Sequence, residues 1–394
     1  MVAAGLPHAL LLVGPGSVGK TTLALDIAAA ELCVAADPAH RPCRECRGCR
    51  LVERGQHPDI MWLYPQGLAN QVIIGDADNP EPGSVRYLLP RLALLASEGG
   101  ARVVIAESAH RMNEDAQNAL LKTLEEPPVG VVLILCAENE DRLLPTIHSR
   151  VARIRLGTVA PRAIEALLEE RGEADAPTAG RLARLAGGRP GLALAYARAP
   201  GAIAIRGEIT RSLLDLAGAR PAVRLARIRE LLARAAELAD ALATGSGEDR
   251  TAARPARGRR GRMVQAPATD GGGTGRDDAS GDEAPPGEPE GPAGPGASGR
   301  ASPAERRRAA GNLVEVWRDL ARDLALLEVG DRAGLNDPEL LEELEELRRD
   351  LPQGSGARFL ARLDRAGQLL QANANPELTT DVLALAWPRT ARAA

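Results

Sequence analysis

Three short stretches of the chain are apolar at nearly every position: residues 9–13 (Ala-Leu-Leu-Leu-Val), 102–106 (Arg-Val-Val-Ile-Ala) and 131–136 (Val-Val-Leu-Ile-Leu-Cys). Unbroken runs of this length, without polar alternation, suit strands buried on both faces of a parallel sheet. The segments between them read as helices. Residues 22–32 carry a helical pattern behind a glycine-rich loop, and residues 113–126 carry another. In the second, Asn113 is placed to cap, Glu114 and Asp115 favour the first turn, and Pro127-Pro128 ends the helix. Strands alternating with helices predict an α/β domain with a parallel sheet over residues 1–156.

Beyond this point the pattern turns helical and shows no strand signal. Residues 164–171 and 179–185 predict a small helical lid domain over 157–200, and residues 202–243 predict further helices. A break follows. Across residues 244–303 the only large aliphatic side chains are Met263 and Val264, set among Gly, Pro, Ser, Asp and Arg. Such a segment buries too little apolar surface to offset the entropy of ordering, so it is expected to be a disordered insertion, basic at first and then acidic. Helical periodicity returns in residues 304–322, 339–350 and 359–370. The insertion thus interrupts one helical domain made of 201–243 and 304–394.

Composition changes the picture at three points. Among 394 residues there is a single Phe, Phe359, and aromatics total 2%, so the cores must be built from Leu, Ala, Val and Ile. No apolar run reaches the roughly 18 residues of a membrane span, and the N-terminus lacks the layout of a secretory signal; a cytoplasmic chain without a membrane segment is expected. The net charge of −4 predicts no whole-surface attraction to nucleic acid, so any DNA contact would be a local patch. The 49 basic residues include only two lysines, Lys20 and Lys122. A lysine kept in an arginine-rich chain marks a place where a compact point charge is needed in preference to a planar fork.

Lys20 lies in Gly14-Pro15-Gly16-Ser17-Val18-Gly19-Lys20-Thr21, followed by Thr22, which has the G-x-x-x-x-G-K-[ST] spacing of a phosphate-binding loop. A buried strand before it and a helix after it give the context that spacing requires. Backbone N–H groups and the helix N-terminus would face the phosphates of ATP, Lys20 would reach the β- and γ-oxygens, and Thr21 would ligate magnesium. Hydrolysis also needs acidic groups at the end of a neighbouring strand. Residues 103–106 run into Glu107-Ser108-Ala109-His110. Glu107 could stand in as the magnesium ligand, but Ser108 occupies the place of the water-activating acid, and His110 reads as a surface or structural residue.

Cys33, Cys43, Cys46 and Cys49 form C-x9-C-x2-C-x2-C after the first helix. Four thiolates at this spacing suit a closed tetrahedral zinc site, structural in role; the Cys-Pro expected of an iron–sulfur pattern is missing. Cys136, inside an apolar run, reads as core packing.

Together these residues resemble the AAA+ clamp-loader subunits of bacterial DNA polymerase III. The resemblance rests on the loop, the four cysteines, His57-Pro58-Asp59 and Glu98-Gly99-Gly100-Ala101-Arg102-Val103-Val104-Ile105. It continues through Asn118-Ala119-Leu120-Leu121-Lys122-Thr123-Leu124-Glu125-Glu126-Pro127-Pro128 and Leu144-Pro145-Thr146-Ile147-His148-Ser149-Arg150, and it covers roughly the first 195 residues. The C-terminal part resembles the family's helical collar only in character. What the resemblance implies is a five-subunit spiral that opens the sliding β clamp and places it on primed DNA, with gamma/tau and delta subunits as partners. Arg150 would be an arginine finger reaching a neighbour's ATP.

Within the family, a motor (gamma/tau) carries an Asp-Glu pair where this chain has Glu107-Ser108. It also carries a lid arginine where Gly191 stands in Gly187-Gly188-Arg189-Pro190-Gly191-Leu192-Ala193-Leu194, with Arg189 out of register. Both departures favour the stator branch, delta-prime. The family's delta lacks the zinc module and this loop. The finger motif reads Ser149-Arg150-Val151 instead of Ser-Arg-Cys, and the chain opens at Leu6-Pro7-His8-Ala9-Leu10 without the family's adenine-holding segment, which implies either a misassigned start site or reduced nucleotide affinity.

Overall fold

A computed structural model describes residues 6–67, 70–98, 100–246 and 302–390, all within one structural unit. The predicted central strands are present as β1 (Ala9–Val13), β3 (Arg102–Ala106) and β4 (Val131–Ala137). With β2 (Ile60–Leu63) and β5 (Ala152–Arg155) they form a five-stranded sheet in the order β2-β3-β4-β1-β5, every pair parallel. Alternate residues of each central strand feed opposite faces, as the pleat demands. Ala9, Leu11, Val104, Leu133 and Leu135 pack on one face with the helices α3 (Val85–Leu92), α4 (Glu114–Glu125) and α5 (Pro145–His148). Leu10, Leu12, Val103, Ile105 and Ile134 pack on the other with α1 (Lys20–Glu31) and α2 (Arg47–Glu53).

The two strands absent from the sequence reading, β2 and β5, are the sheet's edges. β5 alternates half-buried and exposed positions, and three of the four residues of β2 are only half-buried. Neither has the continuous apolar character that betrays a central strand. In α4 the predicted cap is present: the Asn113 side chain accepts from the N–H of Ala116 at 2.9 Å.

After β5 the described chain is helical: α6 (Pro161–Glu170), α7 (Ala176–Leu185), α8 (Pro190–Arg198), α9 (Pro200–Asp215) and α10 (Pro221–Gly245), then α11 (Pro303–Glu328), α12 (Leu341–Asp350), α13 (Ser355–Gln371) and α14 (Pro376–Ala386). Their buried side chains form one continuous cluster running from Ile164 to Trp387. At its centre the few aromatics meet. The Trp317 ring lies 5.3 Å from Phe359 and 5.5 Å from Trp387, and Phe359 meets Trp387 edge-on at 4.7 Å. Close crossing of α11 and α13 is allowed by Gly356, where a Cβ would come within 2.7 Å of the Ala325 nitrogen.

The expected insertion at 244–303 is corrected at its ends. Thr244 and Gly245 complete α10, and Pro303 is the first residue of α11. Ser302 and Glu305 close a capping box there, each side chain bonded to the other's backbone N–H. Residues 247–301 lie outside the described residues, so the expectation of disorder falls there. Among the described residues, no helix is long and apolar enough to cross a membrane.

Candidate nucleotide and metal sites

The glycine loop emerges at the carboxyl end of β1, at the edge where β4 beside it and β3 beyond that also end. Ligands collect at this edge of open α/β sheets. The Gly14 N–H donates to the Ala137 carbonyl at 3.1 Å, and a Cβ on Gly14 would come 2.3 Å from the Leu156 oxygen, so no side chain fits. Ser17 and Gly19 both have positive φ, 59° and 101°. The turn thereby delivers Gly19 as an N-cap with no side-chain partner, leaving the first N–H groups of α1 open toward the loop.

Gly16, Ser17 and Gly19 through Thr22 line an open cavity of about 2110 Å3, together with Glu107, Ser108 and Glu138. The structure therefore brings the predicted nucleotide residues and the predicted magnesium candidate to one place. Gly14, Pro15 and Val18 shape the loop from behind; Val18 is buried. Lys20 is buried, and its ammonium donates to the carbonyls of Gly14 at 2.9 Å and Pro15 at 2.6 Å. Burial lowers its pKa, and the nearby Glu138 carboxylate offsets part of that effect. His110 is structural: it is buried, its Nδ1 accepts from the Glu138 N–H at 3.3 Å, and burial pushes its pKa down to about 4.

Glu138 is the residue that sequence reasoning missed. It follows β4 at the same sheet edge as Glu107 and the glycine loop, and that position is the signal that would have found it. A Cβ placed on Gly16 would lie 2.9 Å from a Glu138 carboxylate oxygen.

α8 leans on the glycine loop. The Gly191 N–H donates to the Ser17 carbonyl at 2.9 Å, and a Cβ on Gly191 would come 3.0 Å from that oxygen. The close approach explains a glycine here. Arg189, two residues earlier, is engaged elsewhere: it donates to Glu315 of α11 at 2.6 Å and to the Ala186 carbonyl at 3.0 Å.

Arg150 does not line the cavity around its own chain's glycine loop. It sits between α5 and β5, donating to Glu125 Oε1 at 2.5 Å, to the Thr146 carbonyl at 2.8 Å and to Ser149 Oγ at 2.9 Å. Glu125, at the end of α4, therefore holds it. Among the described residues no ion pair forms between Lys122 and Glu126.

The four cysteines predicted as ligands come together. Their Sγ atoms all lie within 4.8 Å of one another, and none is in a disulfide. The N–H groups of Ala35 and Cys43 donate to Cys33 Sγ at 3.5 and 3.4 Å. Cys46 N–H donates to Cys43 Sγ at 3.3 Å, and Cys49 N–H to Cys46 Sγ at 3.4 Å. Donors aimed at sulfur stabilise thiolates. At Cys46 burial opposes ionisation, yet backbone donation from Cys49 and Val34 brings the pKa down to about 6; burial pushes Cys49 up to about 12. Such a set suits a tetrahedral, closed metal site. The His57-Pro58-Asp59 motif ties the start of β2 to the segment before β3. Asp59 is fully buried just before β2, and its carboxylate accepts from the N–H groups of Ser97 and Glu98 at 2.7 and 3.0 Å.

Replacing Cys46 and Cys49 together by Ser is expected to abolish bound metal, read by elemental analysis. The same change should destabilise the protein by more than about 2 kcal/mol, or about 4–8 °C in Tm. Unchanged metal content and Tm would contradict a metal role.

Residues 2–160 match the family model described as DNA polymerase III, delta subunit. The DNA polymerase III subunit delta' of Pseudomonas aeruginosa is 42% identical over 144 residues, which are 36% of this chain and 41% of that protein. The subunit tau of Bacillus subtilis is 32% identical over 157 residues, 40% of this chain and 26% of that protein. The match thus spans about two fifths of the delta' relative's length. A gamma subunit-related protein from Thermotoga maritima aligns over 96% of this chain and 94% of its own at 16% identity, with a TM-score of 0.37. Over residues 2–160 the chain is therefore similar to the delta' subunits of DNA polymerase III, in line with its motifs.

Proposed function

We propose that the chain is the delta-prime, or stator, subunit of a DNA polymerase III clamp loader. In this reading it does not hydrolyse ATP itself. It joins gamma/tau and delta subunits in a spiral that opens the sliding β clamp and sets it on primed DNA, gripping phosphates without reading sequence. Residues 1–156 are the AAA+ domain, 157–200 the lid, and α9 and α10 together with α11 to α14 the collar.

The observation that carries the reading is the placement of Arg150. It is partly exposed and lies outside the cavity around its own glycine loop. An arginine finger supplied in trans needs such a position. Two further features support a stator over a motor: Ser108 offers no base beside Glu107, and Gly191 leaves the lid without a cation at the loop. A collar role is supported by α14, where Leu378, Val382 and Leu385 stand exposed at helical spacing, an apolar stripe suited to a partner helix. The four cysteines would hold zinc as a structural ion; a closed thiolate set leaves it no catalytic position.

The purified chain is expected to hydrolyse ATP no faster than its Lys20→Ala variant. The complete loop from Gly14 to Thr21 favours a second reading, a motor-type gamma/tau subunit or a free-standing P-loop ATPase. Clear Lys20-dependent turnover by the chain alone would support that reading and sink the stator.

A further inference from the structure

Glu138 is exposed in the cavity, and among the described residues its carboxylate makes no hydrogen bond or ion pair closer than 4 Å. Yet its position is defined. The residue follows β4 directly, and its N–H is anchored on the buried, neutral His110 at 3.3 Å. From there the carboxylate reaches the glycine loop: one oxygen is 2.9 Å, and its carboxyl carbon 3.7 Å, from where a Cβ on Gly16 would be. Two cations flank it. Lys20 of α1 is turned back onto its own loop carbonyls, and Arg111, just beyond β3, is held by its backbone to Ser108 and Val72 while its guanidinium has no hydrogen bond or ion pair among the described residues. Glu138 is the foremost favourable charge for both. The loop is also tied from above, through the Gly191 N–H on the Ser17 carbonyl.

A phosphate-binding loop works by presenting N–H groups and a cation to a negative group. Here a carboxylate is built into the chain beside the loop, at the end of the adjoining strand, without being bonded to the loop N–H groups or to Lys20. We propose that Glu138 serves as an internal anion of the glycine loop, standing where a phosphate would sit and selecting against the phosphates of a nucleoside triphosphate. The proposal rests on reading residues 14–21 as a phosphate cradle, and not on assembly with other subunits. A bound triphosphate would have to displace the carboxylate or lie beside it, and like charges at such range weaken binding by about tenfold or more.

The test is a titration of the full chain with a fluorescent ATP analogue and Mg2+, comparing wild type, Glu138→Gln and the double variant Lys20→Ala with Glu138→Gln. Glu138→Gln keeps the size and removes the charge at an exposed position, and matching melting curves check that the fold is kept. Glu138→Gln is expected to bind about tenfold more tightly than wild type, with the gain lost when Lys20 is also removed. Equal or weaker binding by Glu138→Gln would overturn the proposal, because a carboxylate that helps hold magnesium would give that result. No measurable binding in either form, or a gain that persists without Lys20, would overturn it as well. None of these outcomes reads clamp-loader assembly, so the stator reading stands or falls separately.

Discussion

Arg150→Ala, placed in a complex reconstituted with motor and delta subunits, is expected to slow ATP hydrolysis at the adjoining motor site by about 10^3-fold, with assembly unchanged. The expectation follows from where the guanidinium is held. Glu125 Oε1, the Thr146 carbonyl and Ser149 Oγ engage it from one side, and no residue of its own nucleotide loop does. Arg150→Lys should not restore the rate, since an ammonium cannot present the planar fork that spans two phosphate oxygens. Single-turnover hydrolysis at the adjoining site is the measurement. A rate equal to that of the unmodified complex would remove the finger role while leaving the stator's structural part open to its own test.

The largest effect on stability is expected at Arg224, and it is independent of assembly. This arginine is fully buried in α10 and has no carboxylate partner among the described residues. Its guanidinium instead donates to the carbonyls of Ala219 at 2.9 Å, Ala217 at 3.1 Å, Ala384 at 3.2 Å, Trp387 at 2.6 Å and Pro388 at 3.2 Å. Several belong to the ends of short helical segments and of α14, where unsatisfied carbonyls carry the negative end of the helix dipole. One side chain thus fastens the last helix to the turn before α10. Arg224→Met would keep much of the bulk and strand these carbonyls without donors. A loss of about 3 kcal/mol or more is expected, or about 6–12 °C in Tm. A variant within about 1 kcal/mol of the parent in denaturant unfolding would contradict this account.

How far the sequence was legible depends on what each residue faces. β1, β3 and β4 were readable because both of their faces are covered, so burial leaves them apolar apart from Arg102 at the start of β3. β2 and β5 were not, since an edge strand keeps one side half-open and its Arg153 and Arg155 look like loop residues. α4, with strong apolar periodicity, was found nearly to the residue, and α7 was found except for its first turn. α8 was read only as a motif, because its sequence, Pro-Gly-Leu-Ala-Leu-Ala-Tyr-Ala-Arg, is small and apolar on most sides. α3 and α14 were missed as well; α14 leaves Leu378, Val382 and Leu385 uncovered, which blurs its inward stripe.

The candidate sites divide along a similar line. Contiguous motifs announce themselves: the glycine loop and the cysteine cluster were both visible from spacing, and the structure gathers each into one place. Glu138 belongs to no local motif. Its nearness to Gly16 comes from the pairing of β1 with β4, in which Val13 stands beside Ala137 across more than a hundred residues of chain. Arg189 makes the same point in reverse. It lies within the lid motif, but its partner Glu315 comes from a helix beyond the insertion, so its engagement there is invisible from the motif.

The most direct test of the central claim is the composition of the assembled particle. The full chain is mixed with gamma/tau-type and delta-type subunits from the same cell, and the mass of the complex is measured under native conditions. The account predicts that one copy of this chain enters each particle, and that particles lacking it do not load the clamp on primed DNA. Particles that exclude the chain, or that take it up in several copies in place of the motor subunits, would contradict it.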